Sequence, residues 1–382
     1  MRLRIGLDVR MVDSIETGLG RYARELVRHL PAVAPQWDFV LIKRPLFARE
    51  RLAPAANIEE AVIPGYLDHP LNLATGEAIN RLGLDLYHSL HHFLPLRLRV
   101  PRVVVTLHDL IWVEHAELTF DTQFSWLKWR TTQLFGRGTM RHALERADHV
   151  IAISHHTAAR ARARYGLPDS RITVVHHGAD HGFLHTDDGV PEGEAARPYL
   201  LSLGNSKPYK NLRALLRAFA LVAPRHPDTR LLIAGRGDSA RNLRTLTCLL
   251  GLSSQVEFCG MIPDAEVRRL FVGARALVFP SLIEGFGFPL VEAMAAGCPV
   301  VTSDIPVIRE IVGDSALCAD PTRPEHIAAA MERVLDDPGL RARLRRLGRE
   351  RAARFTWEAC ARATAAVYGR LLAGAPEEPG AS

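Results

Sequence analysis

Cysteine is scarce in this 382-residue chain and carries no pattern. The five present (Cys248, Cys259, Cys298, Cys318 and Cys360) form no C-x-x-C pair and no Cys/His ligand spacing. That excludes a disulfide framework and a zinc-finger-like site, and predicts reduced thiols in a cytosol. Long apolar runs are missing too: no segment approaches the ~18 residues of a membrane-spanning helix. The first ten residues are interrupted by Asp8 and Arg10 where a signal peptide would be apolar. Dense Lys/Arg blocks with interleaved aromatics are absent, so nucleic acid is not an expected partner despite a formal net charge of +6. Asp-x-Asp occurs nowhere. A divalent ion bridging a diphosphate would want such carboxylates, so no metal site is expected.

What is present reads as an ordinary globular chain, 47% hydrophobic and 24% charged, long enough for two domains with a core each. Its positive balance suits phosphorylated substrates or an anionic membrane surface. Apolar runs predict strands at 2–9, 38–42, 58–63, 85–88, 102–106, 149–153 and 172–175. Helical periodicity intervenes at 21–30, 71–82, 124–146 and 155–165, the last with Ser154 as N-cap. Periodicity is lost between Gly178 and Pro198, the expected domain boundary. A second alternating series follows, with strands at 199–203, 230–234, 256–258, 276–279 and 300–302. Its helices are expected at 212–222, 241–250, 265–271, 290–296, 325–335 and 340–354, the last Arg-rich and read as a solvated helix rather than a binding patch. A final amphipathic helix spans 357–372. Strand–helix alternation predicts α/β architecture with two Rossmann-like domains, 1–180 and 198–354, followed by 355–382 as a terminal helix and tail.

The stretch Glu284-Gly-Phe-Gly-Phe-Pro-Leu-Val-Glu292, after an apolar strand, carries the most chemistry. Gly285 and Gly287 let the backbone approach a ligand, and amides near Phe288, Leu290 and Val291 open a helix that can hold an anion. Glu284 precedes that anion site and Glu292 lies about one turn inside the helix. Two acids flanking a phosphate cradle suit a ligand with hydroxyls at both ends and phosphate between, such as a nucleotide sugar. Leu203-Gly-Asn-Ser-Lys-Pro-Tyr-Lys-Asn211 supplies ammonium groups at another strand end, where a leaving diphosphate gathers charge.

Glutamates eight apart around Gly-Phe-Gly-Phe-Pro resemble the E-x7-E signature of retaining glycosyltransferases, especially glycosyltransferase family four. The motif order is similar to the GT-B fold over nearly the whole chain, and its expected cleft joins a donor-binding C-terminal domain to an acceptor-binding N-terminal one. The resemblance implies that Glu284 holds donor sugar hydroxyls and Glu292 the ribose, while Lys210 stabilises the leaving diphosphate. Asn205, Ser206 and Lys207 join the donor loop; no arginine stands at 205 or 209, and Lys207 either replaces it or that cation is absent. Thr17-Gly-Leu-Gly-Arg-Tyr22 resembles the family's glycine loop, so Gly18 and Gly20 are expected near the donor phosphates or the acceptor. His108 of Thr106-Leu-His-Asp109 resembles the histidine that meets the transferred sugar. Gly235 and Ile262 are expected to line the base pocket.

These readings imply a retaining hexosyltransferase of polysaccharide assembly, without cofactor. The expected donor is GDP-mannose ahead of a UDP-hexose, and the acceptor a saccharide or lipid-linked sugar. Trp126 and Trp129 on a basic helix are read as core residues, with peripheral contact at the inner membrane face as the other reading. A GT-B sugar-nucleotide 2-epimerase and a non-catalytic nucleotide-sugar-binding subunit are the rival functions.

Overall fold

A computed structural model describes residues 2–12, 18–47, 55–65, 70–118, 126–179, 197–235 and 240–373. Thr17, most of the 178–198 linker and the start of the 124–146 helix lie outside these residues, and nothing is described of the Trp126 and Trp129 side chains. Two compact units form: Met1–Leu110 with Arg130–Gly178 and Trp357–Ser382, and Ile111–Trp129 with Ala179–Thr356.

The first unit is built on seven strands, all paired in parallel: β1 (Arg4–Asp8), β2 (Asp38–Lys43), β3 (Ile58–Val62), β4 (Leu86–Ser89), β5 (Arg102–Leu107), β6 (His149–Ala152) and β7 (Ile172–Val174). Their order, β3-β2-β1-β4-β5-β6-β7, reverses between β1 and β4. The second sheet, order β10-β9-β8-β11-β12-β13, comprises β8 (Tyr199–Leu203), β9 (Arg230–Ala234), β10 (Val256–Gly260), β11 (Ala276–Phe279), β12 (Val300–Ser303) and β13 (Leu317–Ala319). It reverses between β8 and β11. Open α/β sheets bind ligands outside the strand C-termini at such reversals.

The helices are α1 (Gly18–Val33), α2 (Gly76–Asn80), α3 (Ile111–Glu114), α4 (Trp126–Arg146), α5 (His155–Tyr165), α6 (Leu212–Val222), α7 (Ala240–Leu249), α8 (Asp264–Gly273), α9 (Phe288–Ala295), α10 (Pro306–Val312), α11 (Pro324–Asp336), α12 (Pro338–Ala352) and α13 (Trp357–Leu372). Helix α6 buries Leu212, Leu215, Leu216, Phe219 and Val222, the i, i+3, i+4, i+7 face that its periodicity predicts. Ser154 caps α5 by accepting from the Thr157 amide, and Gly166 closes the helix in the left-handed region.

Three expectations need correction. Gly18 and Gly20 lie in the first turn of α1 and not in a loop. The 71–82 helix shrinks to a 3-10 turn, Pro70–Ala74, and the five residues of α2. Thr75 donates its hydroxyl to the Asn72 carbonyl at 2.8 Å, a local bond that competes with the helix. The Arg-rich helix α12 is also more than a solvated one. It buries Leu344, Gly348 and Ala352, and Arg351 donates to the carbonyls of Ile311 and Glu310, capping the C-terminus of α10.

The charges that interrupt the N-terminal apolar run are buried. Asp8, at the end of β1, accepts from Arg10 Nε at 2.8 Å and from the Tyr87 hydroxyl at 2.6 Å. Among the described residues no helix is long and apolar enough to cross a membrane.

Candidate functional site

In the second unit, β8 delivers the chain to Gly204 (φ +147°), and a turn held by the Lys207 amide donating to Asn205 Oδ1 leads to a 3-10 turn, Pro208–Lys210. Asn211 follows at φ +59°, a conformation that Gly and Asn tolerate best. Its side-chain amide donates to the carbonyls of Pro280 (3.1 Å) and Pro321 (2.7 Å), and the Leu282 amide donates to the Tyr209 carbonyl at 2.8 Å. These bonds clamp the loop after β8 to the loop after β11.

The clamp sets Lys210 Nζ 2.6 Å from Glu284 Oε1, with the two side chains only 13% and 9% exposed. The ammonium also lies 4.6 Å over the Phe279 ring. At this burial an ammonium and a carboxylate are stronger partners than in water, and either left alone would be costly. Lys210, Gly204, Asn205 and Ser281 line a cavity at the ends of β8, β9 and β11. Gly235 (φ +127°) must be glycine: an added Cβ would sit 1.9 Å from the Gly204 carbonyl oxygen.

Gly287 (φ +96°) starts α9, where a Cβ would meet Leu290 Cδ1 at 2.9 Å. The anion cradle is narrower than the sequence predicts. The Leu290 amide donates to the Gly287 carbonyl at 2.9 Å and Pro289 has no N–H. Phe286 is buried and meets Phe288 and Phe355 edge-on, so its ring anchors the loop. Gly285 and Val291 are buried beside it, and Glu292 is buried on α9 at 3% exposure. Lys207 and Asn205 are exposed, Ser206 and Ile262 half-buried. Lys210 and Glu284 are thus brought into contact, while Lys207 stands outside that pair.

In the first unit His108 follows β5 directly, as its strand-end position predicts. Its Nε2 lies 2.9 Å from the Leu90 carbonyl. A carbonyl only accepts, so Nε2 carries the proton and Nδ1 is left as the acceptor for a hydroxyl. Burial pushes this imidazole down to about 4, against the pull of that hydrogen bond. The Tyr22 ring meets His108 edge-on at 5.1 Å and lies 4.6 Å from His177. Beneath them runs a chain of buried bonds that sequence reasoning missed: Tyr22 Oη to Thr106 Oγ1 (2.9 Å), Thr106 to His88 Nε2 (2.8 Å), and His88 Nδ1 to the Tyr368 hydroxyl of α13. The available signal was three histidines in Tyr87-His-Ser-Leu-His-His-Phe93, a stretch that spans the end of a strand and the loop after it.

Two family models match, Glycosyltransferase Family 4 over residues 17–183 and Glycosyl transferases group 1 over 189–351. An O-antigen chain mannosyltransferase B of Escherichia coli is 27% identical over 93% of this chain and 96% of its own length. Sucrose-phosphate synthase from Thermosynechococcus elongatus superposes with a TM-score of 0.76 at 22% identity, over 97% of this chain and 100% of that one. Anabaena HepE in complex with UDP and glucose gives 0.68 at 17% identity, over 96% and 99%.

Proposed function

From a chain that belongs to the family-four glycosyltransferases of GT-B fold, we propose transfer of a hexosyl unit from a nucleotide diphosphate sugar to a saccharide or lipid-linked acceptor, with retention. The observation that carries the reading is the Lys210–Glu284 contact, made across 74 residues by a dedicated clamp. A diphosphate draws Lys210 toward its oxygens, and Glu284 then accepts from donor sugar hydroxyls. A fixed ammonium stabilises the leaving diphosphate more than the ground state, which is the condition for a rate gain. Glu292 serves the ribose. No covalent nucleophile is assigned. The acceptor oxygen attacks on the face the diphosphate leaves, and its proton passes to the departing phosphate oxygen.

GDP-mannose is the first donor to test, because the E. coli relative is a mannosyltransferase by name, and a UDP-hexose is the second. Lys210 does the work of a divalent ion in this reading, so turnover continues in EDTA. The reaction is placed in the cytoplasm, with at most peripheral membrane contact. Chromatography of products decides among activities. Free nucleoside diphosphate with a glycosylated acceptor supports transfer; an isomerised free sugar supports a 2-epimerase. Tight donor binding without turnover supports a binding subunit.

A further inference from the structure

The loops after β8 and β11 border one open cavity of about 230 Å³, and its polar side chains are unequally spent. Asn205 uses both ends of its amide within its own loop: Oδ1 accepts from the Lys207 amide at 3.1 Å, and Nδ2 donates to the Tyr209 hydroxyl at 3.3 Å. Lys210 is held by Glu284. Ser281, two residues past the end of β11, is 1% exposed. Its Oγ is shut from bulk solvent and has no hydrogen-bond partner, the only cavity-lining side chain among the described residues in that state. An unmade bond at a buried hydroxyl costs free energy, and this hydroxyl borders a cavity rather than packed core.

The same cavity lacks a second cation. Neither position 205 nor 209 is arginine, and Lys207 is exposed and stands outside the cavity lining. Electrostatics favours a neutral group in its place. Glu284 balances Lys210, and no acid lines the cavity to balance another buried cation, which would be left unpaired whenever the site is empty. A hydroxyl needs no counter-ion, yet it donates to an anionic oxygen a bond about twice as strong as one between neutral groups.

We propose that Ser281 donates its hydroxyl to a phosphate oxygen of the donor diphosphate, so that Lys210 and Ser281 form a two-point seat with a neutral group in place of a second cation. The inference rests on the glycosyl-transfer reading and adds a second side chain to its diphosphate contact. One phosphate oxygen takes the ammonium and another takes the hydroxyl. Both contacts are to phosphate, so the seat is blind to the base and to the sugar.

The test is calorimetric titration of the full chain with GDP, UDP and inorganic pyrophosphate, beside urea unfolding without ligand. Ser281→Ala is expected to weaken every diphosphate that the parent binds at least fivefold. Its urea midpoint without ligand is expected to be no lower than the parent's, because the variant removes a hydroxyl that bonds to nothing in the empty protein. Lys207→Ala is expected to weaken the same ligands by a smaller factor. Unchanged diphosphate affinity in Ser281→Ala, a lower midpoint without ligand, or an equal or larger loss in Lys207→Ala would each overturn the seat and leave the transfer reading standing. A parent that binds none of the three would overturn both.

Discussion

Asn211 shows how much one side chain contributes to the donor loop. It occupies the left-handed region and its amide bridges two carbonyls on separate segments. Asn211→Ala loses both bonds and strains the backbone, an expected loss of about 3–4 kcal/mol from ~1 per bond and ~1–2 for the conformation. Asn211→Gly relieves the strain and should recover roughly 1 kcal/mol. Urea unfolding of the two variants checks the order, and equal midpoints would contradict it. Donor hydrolysis should fall in both, because the clamp sets Lys210 beside Glu284. Position 211 thus favours Asn or Gly, the residues that tolerate the left-handed region best. Sequence named Lys210 and Glu284 but not their contact, since 74 intervening residues leave no local trace. Likewise nothing in Gly287-Phe-Pro-Leu290 announces that the Leu290 amide is already spent on the Gly287 carbonyl.

At the scale of elements, α13 is the clearest case of a helix that completes a unit begun far earlier in the chain. It buries Trp357, Ala361, Thr364, Val367 and Tyr368 in the first unit, against α1. Tyr368 closes the bond chain through His88 and Thr106 to Tyr22. Tyr368→Phe leaves the buried His88 Nδ1 without a partner and should cost ~1–3 kcal/mol, seen as a lower urea midpoint. An unchanged midpoint would mean that the bond contributes nothing. Elements with strong periodicity were legible to the residue, among them β8, β9, β11, α6 and α13. The misses were α3, α10 and β13, which at four, seven and three residues are too short for a period to emerge. The 71–82 pattern misled for a different reason. The Thr75 hydroxyl, spent on the Asn72 carbonyl, competes there with the helical bonds that the apolar spacing implies.

For the molecule as a whole, the buried histidines set the acid limit of stability. His88 and His92 at about 3, and His108 and His149 at about 4, all fall below the unfolded value near ~6.5. Between those values the unfolded chain binds more protons than the folded one. Stability is therefore full above about pH 6.5 and declines as pH drops toward 4. Urea titrations from pH 7.5 to 4.5 should show a falling midpoint, steepest below pH 6; a flat profile over that range would mean that these rings are not held neutral.

The most direct test of a sugar diphosphate held by Lys210 and Glu284 is calorimetric titration of the parent, Lys210→Ala and Glu284→Ala with GDP and with GDP-mannose, in EDTA. The account predicts that Lys210→Ala weakens both ligands, whereas Glu284→Ala weakens only GDP-mannose, bringing it down to the affinity of GDP. Unchanged affinities in both variants, or binding by the parent only when a divalent ion is restored, would contradict it.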